Sequence, residues 1–213
     1  MDSKVKALCL RATDYGETGK ILTLATLSNG KITANVRAVR SEKSKLKMCA
    51  SPLCMGEYLL TSKGNRNIVT GCTIEDSFFN CWGSVERYAS AQVILEITDK
   101  ITYENIACED EFMLAVKAIT AVNYGETTPY IYLAWYLSNI LLHIGVDIDE
   151  FEIPDNVRIL LRGLQKQEIF YLETLEIDSA MMLQIISYLH MILRSSLSEK
   201  INSFAELLKI INR

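Results

Sequence analysis

Near Phe79 the spacing of apolar residues changes, and that change constrains the fold more than any other feature of the chain. Before it, "VKALCLRAT", "KILTLATLS" and "KITANVRAV" alternate with the period of two that places one face of a strand on a core. The longer run "EYLLTSKGNRNIVTGCTIED" repeats the pattern on either side of a Gly-containing turn around Lys63–Asn67. Five strands in about seventy residues suit a small barrel or a short sandwich. Asn29-Gly30, between the second and third runs, predicts a type I′ hairpin turn, because that pair tolerates the positive φ angles the turn requires. After Phe79 apolar residues recur at i, i+3 and i+4, which predicts helices over Val85–Ile101, Glu111–Val122, Tyr130–Ile144, Asn156–Leu164, Ala180–Arg194 and Phe204–Ile210. The expected architecture is α+β, with five strands over residues 1–79 and an all-helical domain over residues 80–213.

Charge divides along nearly the same line. Residues 1–66 carry 12 Lys/Arg against 5 Asp/Glu, and residues 67–213 carry 10 against 21, so that +7 and −11 make up the net charge of −4. The basic portion is a candidate for nucleic acid or another anionic partner. Its densest stretch is "VRAVRSEKSKLK", Val36–Lys47, with Arg37, Arg40, Lys43, Lys45 and Lys47 against the single acid Glu42. Alternation over Lys31–Val39 puts Ile32, Ala34, Val36 and Ala38 on one apolar row and Lys31, Thr33, Asn35 and Arg37 on the other. Lys31 and Arg37 are therefore expected on the polar face from which the basic loop departs.

Hydrophobic content of 49% is ample for two cores. No cationic start followed by a short apolar run and a cleavage site appears near Met1, so the expected compartment is the cytoplasm. "TTPYIYLAWYLSNILLHIGV", Thr127–Val146, lacks charge over the length of a membrane span. Pro129 at a helix start, Gly145 at its end, the polar Ser138, Asn139 and His143, and the absence of flanking Lys/Arg make it a buried helix instead. None of the six cysteines forms a C-x-x-C pair, and a cytosolic chain keeps its thiols reduced, so Cys9, Cys49, Cys54, Cys72, Cys81 and Cys108 are expected as small apolar fillers, with neither disulfides nor zinc.

Catalytic and cofactor patterns fail at specific positions. "YGETGKI" has two residues between its glycines and Ile after the lysine, whereas a phosphate loop needs four and then Ser or Thr. "DIDEFEIPD" offers five carboxylates, but a calcium loop from Asp147 would need glycine where Glu152 stands and glutamate where Arg158 stands. His143 and His190 lie in apolar helices without partners at ligand spacing, and no G-x-S-x-G elbow occurs. A non-enzyme without a cofactor is expected.

A basic small barrel ahead of an acidic helical domain points toward single-stranded nucleic acid. The stretch "LRATDYGETGKILTLATLSNGKITANVRAVRSEKSKL", Leu10–Leu46, resembles the opening of the bacterial recombination mediator RecO family, with its Leu-Arg…Asp-Tyr-Gly-Glu start, Thr-x-x-x-Gly-Lys hairpin and basic segment ending in Ser-Lys. "CMGEYLLTSKGN", "YASAQVILEITDKIT" and "YLAWYLSNILLHIGVDID" are similar, in order, to later regions of that family. The resemblance implies an amino-terminal OB-fold, ATP-independent annealing of complementary strands, and help in loading recombinase onto DNA coated with single-strand-binding protein (SSB), usually with RecR. Many members carry a four-cysteine zinc site soon after the central helix. Here "VDIDEFEIPDNVR" contains no cysteine, so zinc is not expected.

On this reading Arg37, Arg40, Lys43, Lys45 and Lys47 contact phosphates on single- or double-stranded DNA, with Lys20, Lys31 and Arg66 as neighbours. Only Tyr15 and Tyr58 are aromatic in residues 1–77, so stacking and sequence preference are expected to be slight. The alternative is a protein-interaction module whose basic loop docks an acidic protein. A second surface follows from Arg158, Arg162 and Lys166, which recur at i, i+4 and i+8 beside Ile159, Leu160 and Leu161 and would form a cationic stripe for the acidic carboxyl-terminal tail of SSB.

Overall fold

The computed structural model describes residues 2–41, 44–64, 66–197 and 199–211, and the side chain of Phe170 is not described. Contacts divide the chain into two compact units, Met1–Phe79 with Leu95–Val116 and Asn80–Ile94 with Lys117–Arg213.

In the first unit β1 (Asp2–Tyr15), β2 (Gly19–Thr26), β3 (Gly30–Val36), β4 (Met55–Lys63) and β5 (Arg66–Asp76) close a barrel in the order β1-β2-β3-β5-β4. All neighbours are antiparallel except β3 and β5, which run parallel over Ala34–Val36 and Asn67–Val69. This closed five-stranded order is that of an OB-fold. Alternation fills the interior: Val5, Ala7, Cys9, Leu22, Leu24, Ala34, Val36, Tyr58, Leu60 and Val69 share one buried cluster. Leu8, Leu10 and Ala25 point the other way and are buried too. Residues 95–116 belong to this unit through Lys31 N–H donating to Tyr103 O at 3.0 Å and Cys108 Sγ donating to Thr26 O at 3.7 Å.

Two local expectations are corrected. The β2–β3 connection is a three-residue loop, Leu27–Asn29, closed by the pair Thr26 and Gly30, and only Gly30 has positive φ (68°). A type I′ turn would need positive φ at Asn29 as well. Thr26 Oγ1 favours the longer loop, since it accepts from Asn29 N–H at 3.0 Å and donates to Gly30 O at 2.7 Å. The apolar row of β3 also stops at Val36. Ala38 is exposed at φ 51°, and Val39 turns into the core in its place. Arg40 N–H donates to Thr18 O at 3.0 Å, so the chain bends away from the sheet before a further strand pair forms.

The helices are α1 (Phe79–Gly83), α2 (Val85–Ile101), α3 (Glu109–Tyr124), α4 (Pro129–His143), α5 (Asp155–Lys166), α6 (Ser179–Ser196) and α7 (Ser203–Ile211), with short 3-10 turns at Ile148–Glu150 and Ile169–Thr174. Three acids in the first turn of α3 suit its dipole, and Asp178 caps α6 by accepting from Met181 N–H at 2.8 Å. α4 begins at Pro129, is buried over Ile131–Ser138, and ends before Gly145 at φ 77°. It is a core helix in the second unit. Among the described residues no helix is long and apolar enough to cross a membrane.

Candidate nucleic-acid interface

Three segments of the barrel rim converge. The β1–β2 turn, Tyr15–Gly19, bends at Gly16 (φ 62°); the end of β3 supplies Asn35–Ala38; and the β4–β5 turn, closed by the pair Lys63 and Arg66, bends at Gly64 (φ 60°). Together they border a groove of about 940 Å³ whose lining includes Tyr15, Glu17, Asn35, Arg37, Lys63, Arg66 and Ile68. Three cations, one acid, one aromatic ring and an apolar floor suit a polyanion that also carries flat rings. Arg37, Lys63 and Arg66 are exposed, and Tyr15 is 55% exposed. These are also the two hairpin loops and the strand face by which OB-folds grip oligonucleotides.

The remaining expected contacts lie elsewhere on this unit. Arg40 is exposed and pairs with Asp14 across 3.5 Å, which ties the start of the basic loop to the β1–β2 hairpin. Lys45 and Lys47 are exposed in a run of turns that continues to Ala50, and Lys43 lies outside the described residues. Lys20 is half-buried and donates to Ala50 O at 3.3 Å. Lys31 pairs with Asp99 at 2.9 Å, and Arg11 reaches the same carboxylate at 3.5 Å. Lys31 also lines a smaller polar cavity of about 370 Å³ with Thr33, Asn35, Arg66, Asn67 and Glu104. Tyr58 cannot stack on a base: it is buried, and its hydroxyl donates to Cys49 O at 2.9 Å. Lys63 was absent from the expected set, although its place beside Gly64 and opposite Arg66 in a hairpin would have indicated it.

Comparison with known proteins places this geometry. Residues 1–78 match the profile of the family described as "Recombination protein O N terminal". The chain belongs to the RecO family. Its RecO relatives include the "DNA repair protein RecO" of Syntrophomonas wolfei subsp. wolfei, 23% identical over 70% of this chain and 65% of that protein. The proteins of the same name from Bacillus velezensis and Dehalococcoides mccartyi are 32% and 30% identical, over 59% and 68% of this chain and 49% and 56% of theirs. The chain spans about half the length of the curated relatives it matches.

In the second unit of this RecO-family chain, the α5 stripe is engaged with its own preceding loop. Arg158 donates to Asp149 Oδ1 at 2.9 Å and to the carbonyls of Ile148, Phe151 and Ile153 at 3.1, 3.2 and 3.3 Å. Arg162 donates to Asp147 Oδ1 at 2.9 Å and Asp149 Oδ2 at 2.5 Å. Hydrogen bonds from Arg158 and then Arg162 hold the Asp149 carboxyl below its ordinary range, and Asp149 raises Arg162 in return. Lys166 is exposed at the end of α5, and Ile159 is 71% exposed. Among the described residues no group of three or more His, Cys, Asp and Glu is arranged to hold a metal ion.

Proposed function

We propose that this protein acts in DNA repair and homologous recombination by binding single- and double-stranded DNA, annealing complementary strands without ATP, and helping recombinase onto SSB-coated DNA with RecR. Residues 1–79 are the nucleic-acid-binding domain on this reading, and residues 80–213 are the helical domain that meets protein partners. The observation that carries it is the groove lined by Arg37, Lys63, Arg66 and Tyr15, between the hairpin loops by which OB-folds hold strands. The names of the relatives support the repair setting. Phosphate neutralisation lowers the repulsion between two strands, so a binding groove and an adjacent basic loop suffice for annealing with no catalytic step.

Arg37, Arg40, Lys43, Lys45, Lys47 and Arg66 are assigned to phosphates, with Lys20 and Lys31 as supports of the loop and of β3. Arg158, Arg162 and Lys166 remain the proposed station for the acidic SSB tail, which would have to compete with Asp147 and Asp149 for the two arginines.

The test is joint replacement of Arg37, Arg40, Lys43, Lys45 and Lys47 by Ala, with oligonucleotide affinity followed across salt. Each lost single-strand phosphate contact flattens the log–log slope by about 0.7. A folded variant with the parent's slope and annealing rate would refute the assignment, and retained binding to an acidic protein with no DNA affinity in the parent would favour a docking module.

A further inference from the structure

Strand β3 changes neighbours along its length, and the change opens a cavity. It pairs with β5 over Ala34–Val36, whereas Gly30 and Lys31 bridge to Glu104 in the segment that follows α2. Ile32 and Thr33 lie between the two pairings and line, with Asn35, Arg66, Asn67 and Glu104, the polar cavity of about 370 Å³. That volume is near the lower end of small-ligand sites, about 300–1,000 Å³. Hydrogen bonds fix its walls: Thr33 Oγ1 donates to Glu104 Oε1 at 3.2 Å, Asn67 Nδ2 donates to Thr33 O at 3.4 Å, and Ser62 Oγ donates to Asn67 Oδ1 at 3.2 Å. Asn35, Gly64 and Arg66 line this cavity and the larger groove alike, so a strand lying in the groove comes within reach of it.

Glu104 is out of place on a purely phosphate-binding surface. A carboxylate beside the track of a polyanion is repulsive unless it meets a donor, and the donors of a DNA strand are on its bases. Glu104 makes no ion pair among the described residues, and its bond from Thr33 engages only Oε1. Resting on the proposed nucleic-acid function, we propose that this cavity takes one guanine base from a single strand held in the groove, with the Glu104 carboxylate accepting from guanine N1–H and the 2-amino group. Guanine alone among the DNA bases offers a carboxylate two adjacent N–H donors. Adenine and cytosine offer an amino group beside an acceptor nitrogen, and thymine one N–H between two carbonyls. Asn35, whose side chain makes no hydrogen bond among the described residues, supplies a donor for guanine O6. Arg66 keeps its phosphate role where the two spaces adjoin, and Lys31 is held by Asp99 at 2.9 Å.

The scarcity of aromatic rings in residues 1–77 speaks only to stacking. Hydrogen bonds to a base edge are a separate source of preference, and one good bidentate pair favours its base by roughly tenfold. Phosphate contacts stay blind to sequence, so a strand without guanine still binds. Guanine adds to that general affinity and sets which nucleotide rests beside β3.

The experiment measures, on the full chain, the affinity for a labelled oligothymidine and for the same oligomer with one central dT replaced by dG, dA, dC or deoxyinosine. The dG oligomer should bind about tenfold tighter than oligothymidine, dA and dC should stay near the oligothymidine value, and deoxyinosine, which lacks the 2-amino group, should fall between. Glu104→Gln, which presents N–H groups to guanine N–H, should bring the dG-to-dT ratio to about one. Because both affinities are read on one protein, partial unfolding of the variant cancels from the ratio. Equal binding of the dG and dT oligomers by the parent overturns the guanine site and leaves the groove reading standing, whereas binding of neither overturns both. A Glu104→Gln variant that tightens every oligomer alike, with the parent's ratio kept, makes Glu104 a repulsive charge only and also overturns the site. Free dGMP should compete weakly, since it lacks the strand that the groove holds; dGMP bound as tightly as the dG oligomer would make this a mononucleotide site and overturn the assignment to a strand.

Discussion

Lys31 Nζ stands 2.9 Å from Asp99 Oδ1, with both side chains only 21% exposed. The lysine that alternation places on the polar face with Arg37 is therefore neutralised by a residue 68 positions further on. Lys31→Ala leaves a half-buried carboxylate with the more distant Arg11, and stability should fall by about 1–2 kcal/mol. Thermal unfolding measures that loss. The salt slope for an oligonucleotide should stay at the parent's value, in contrast with Arg37→Ala or Arg66→Ala, each of which should flatten it by about 0.7.

Tyr15 is the aromatic residue of the groove. On the proposed function, Tyr15→Ala should weaken single-strand binding by about 1–3 kcal/mol through loss of base stacking, and Tyr15→Phe should restore it. Fluorescence anisotropy with a labelled oligonucleotide distinguishes the two. Equal losses in both variants would assign the effect to the hydroxyl and exclude stacking.

Asp149 provides a pH test. Its carboxyl is held below the ordinary value of 3.8 by Arg158 first and Arg162 second, so the folded state binds a proton less readily than the unfolded state. The resulting stabilisation is fully present above the unfolded pKa and disappears as pH falls through the lower, folded pKa. The unfolding temperatures of the parent and Asp149→Asn should therefore differ at neutral pH, and the gap should begin to close only below about pH 4, as the unfolded-state carboxyl takes up its proton. A gap that persists undiminished at pH 2 would mean that the charge on Asp149 is not what stabilises the loop.

Gly30 and Gly64 share a left-handed backbone but differ in surroundings. A Cβ on Gly30 would collide with Ile106 O and lie 2.7 Å from Tyr103 O, whereas one on Gly64 meets open space. Gly64→Ala should cost about 1 kcal/mol from backbone strain alone. Gly30→Ala carries the same strain plus the collision, and should cost at least twice as much in urea unfolding.

Local periodicity made the strands and helices readable. The bounds of α2 coincide with the expected Val85–Ile101 because Ser84 caps the helix, its Oγ accepting from Arg87 N–H at 3.3 Å. α1 escaped because five residues hold too little of a helical period to register. The barrel rim was half legible: Arg37 and Arg66 could be named from charge, but their convergence with Lys63 and Tyr15 depends on the parallel pairing of β3 with β5. The α5 arginines show the opposite limit. Their spacing was visible, yet Asp147 and Asp149 engage them from an adjoining loop, and a 3.6-residue repeat says nothing about what faces a stripe from outside the helix.

Strand β1 pairs through Asp2–Leu8 with β4 and through Ala7–Tyr15 with β2, and the register shifts between Cys9 and Arg11 where its allegiance changes. During synthesis its second half can form a hairpin as soon as β2 leaves the ribosome, but Asp2 must wait for Thr61. The residues that open β1 are thus among the last of the barrel to acquire a partner, and barrel closure follows loop formation over most of the unit. A nascent chain stalled before β4 would present a three-stranded ribbon with the inward face of Val5 and Ala7 bare, a species that chaperones would meet and the finished protein never shows.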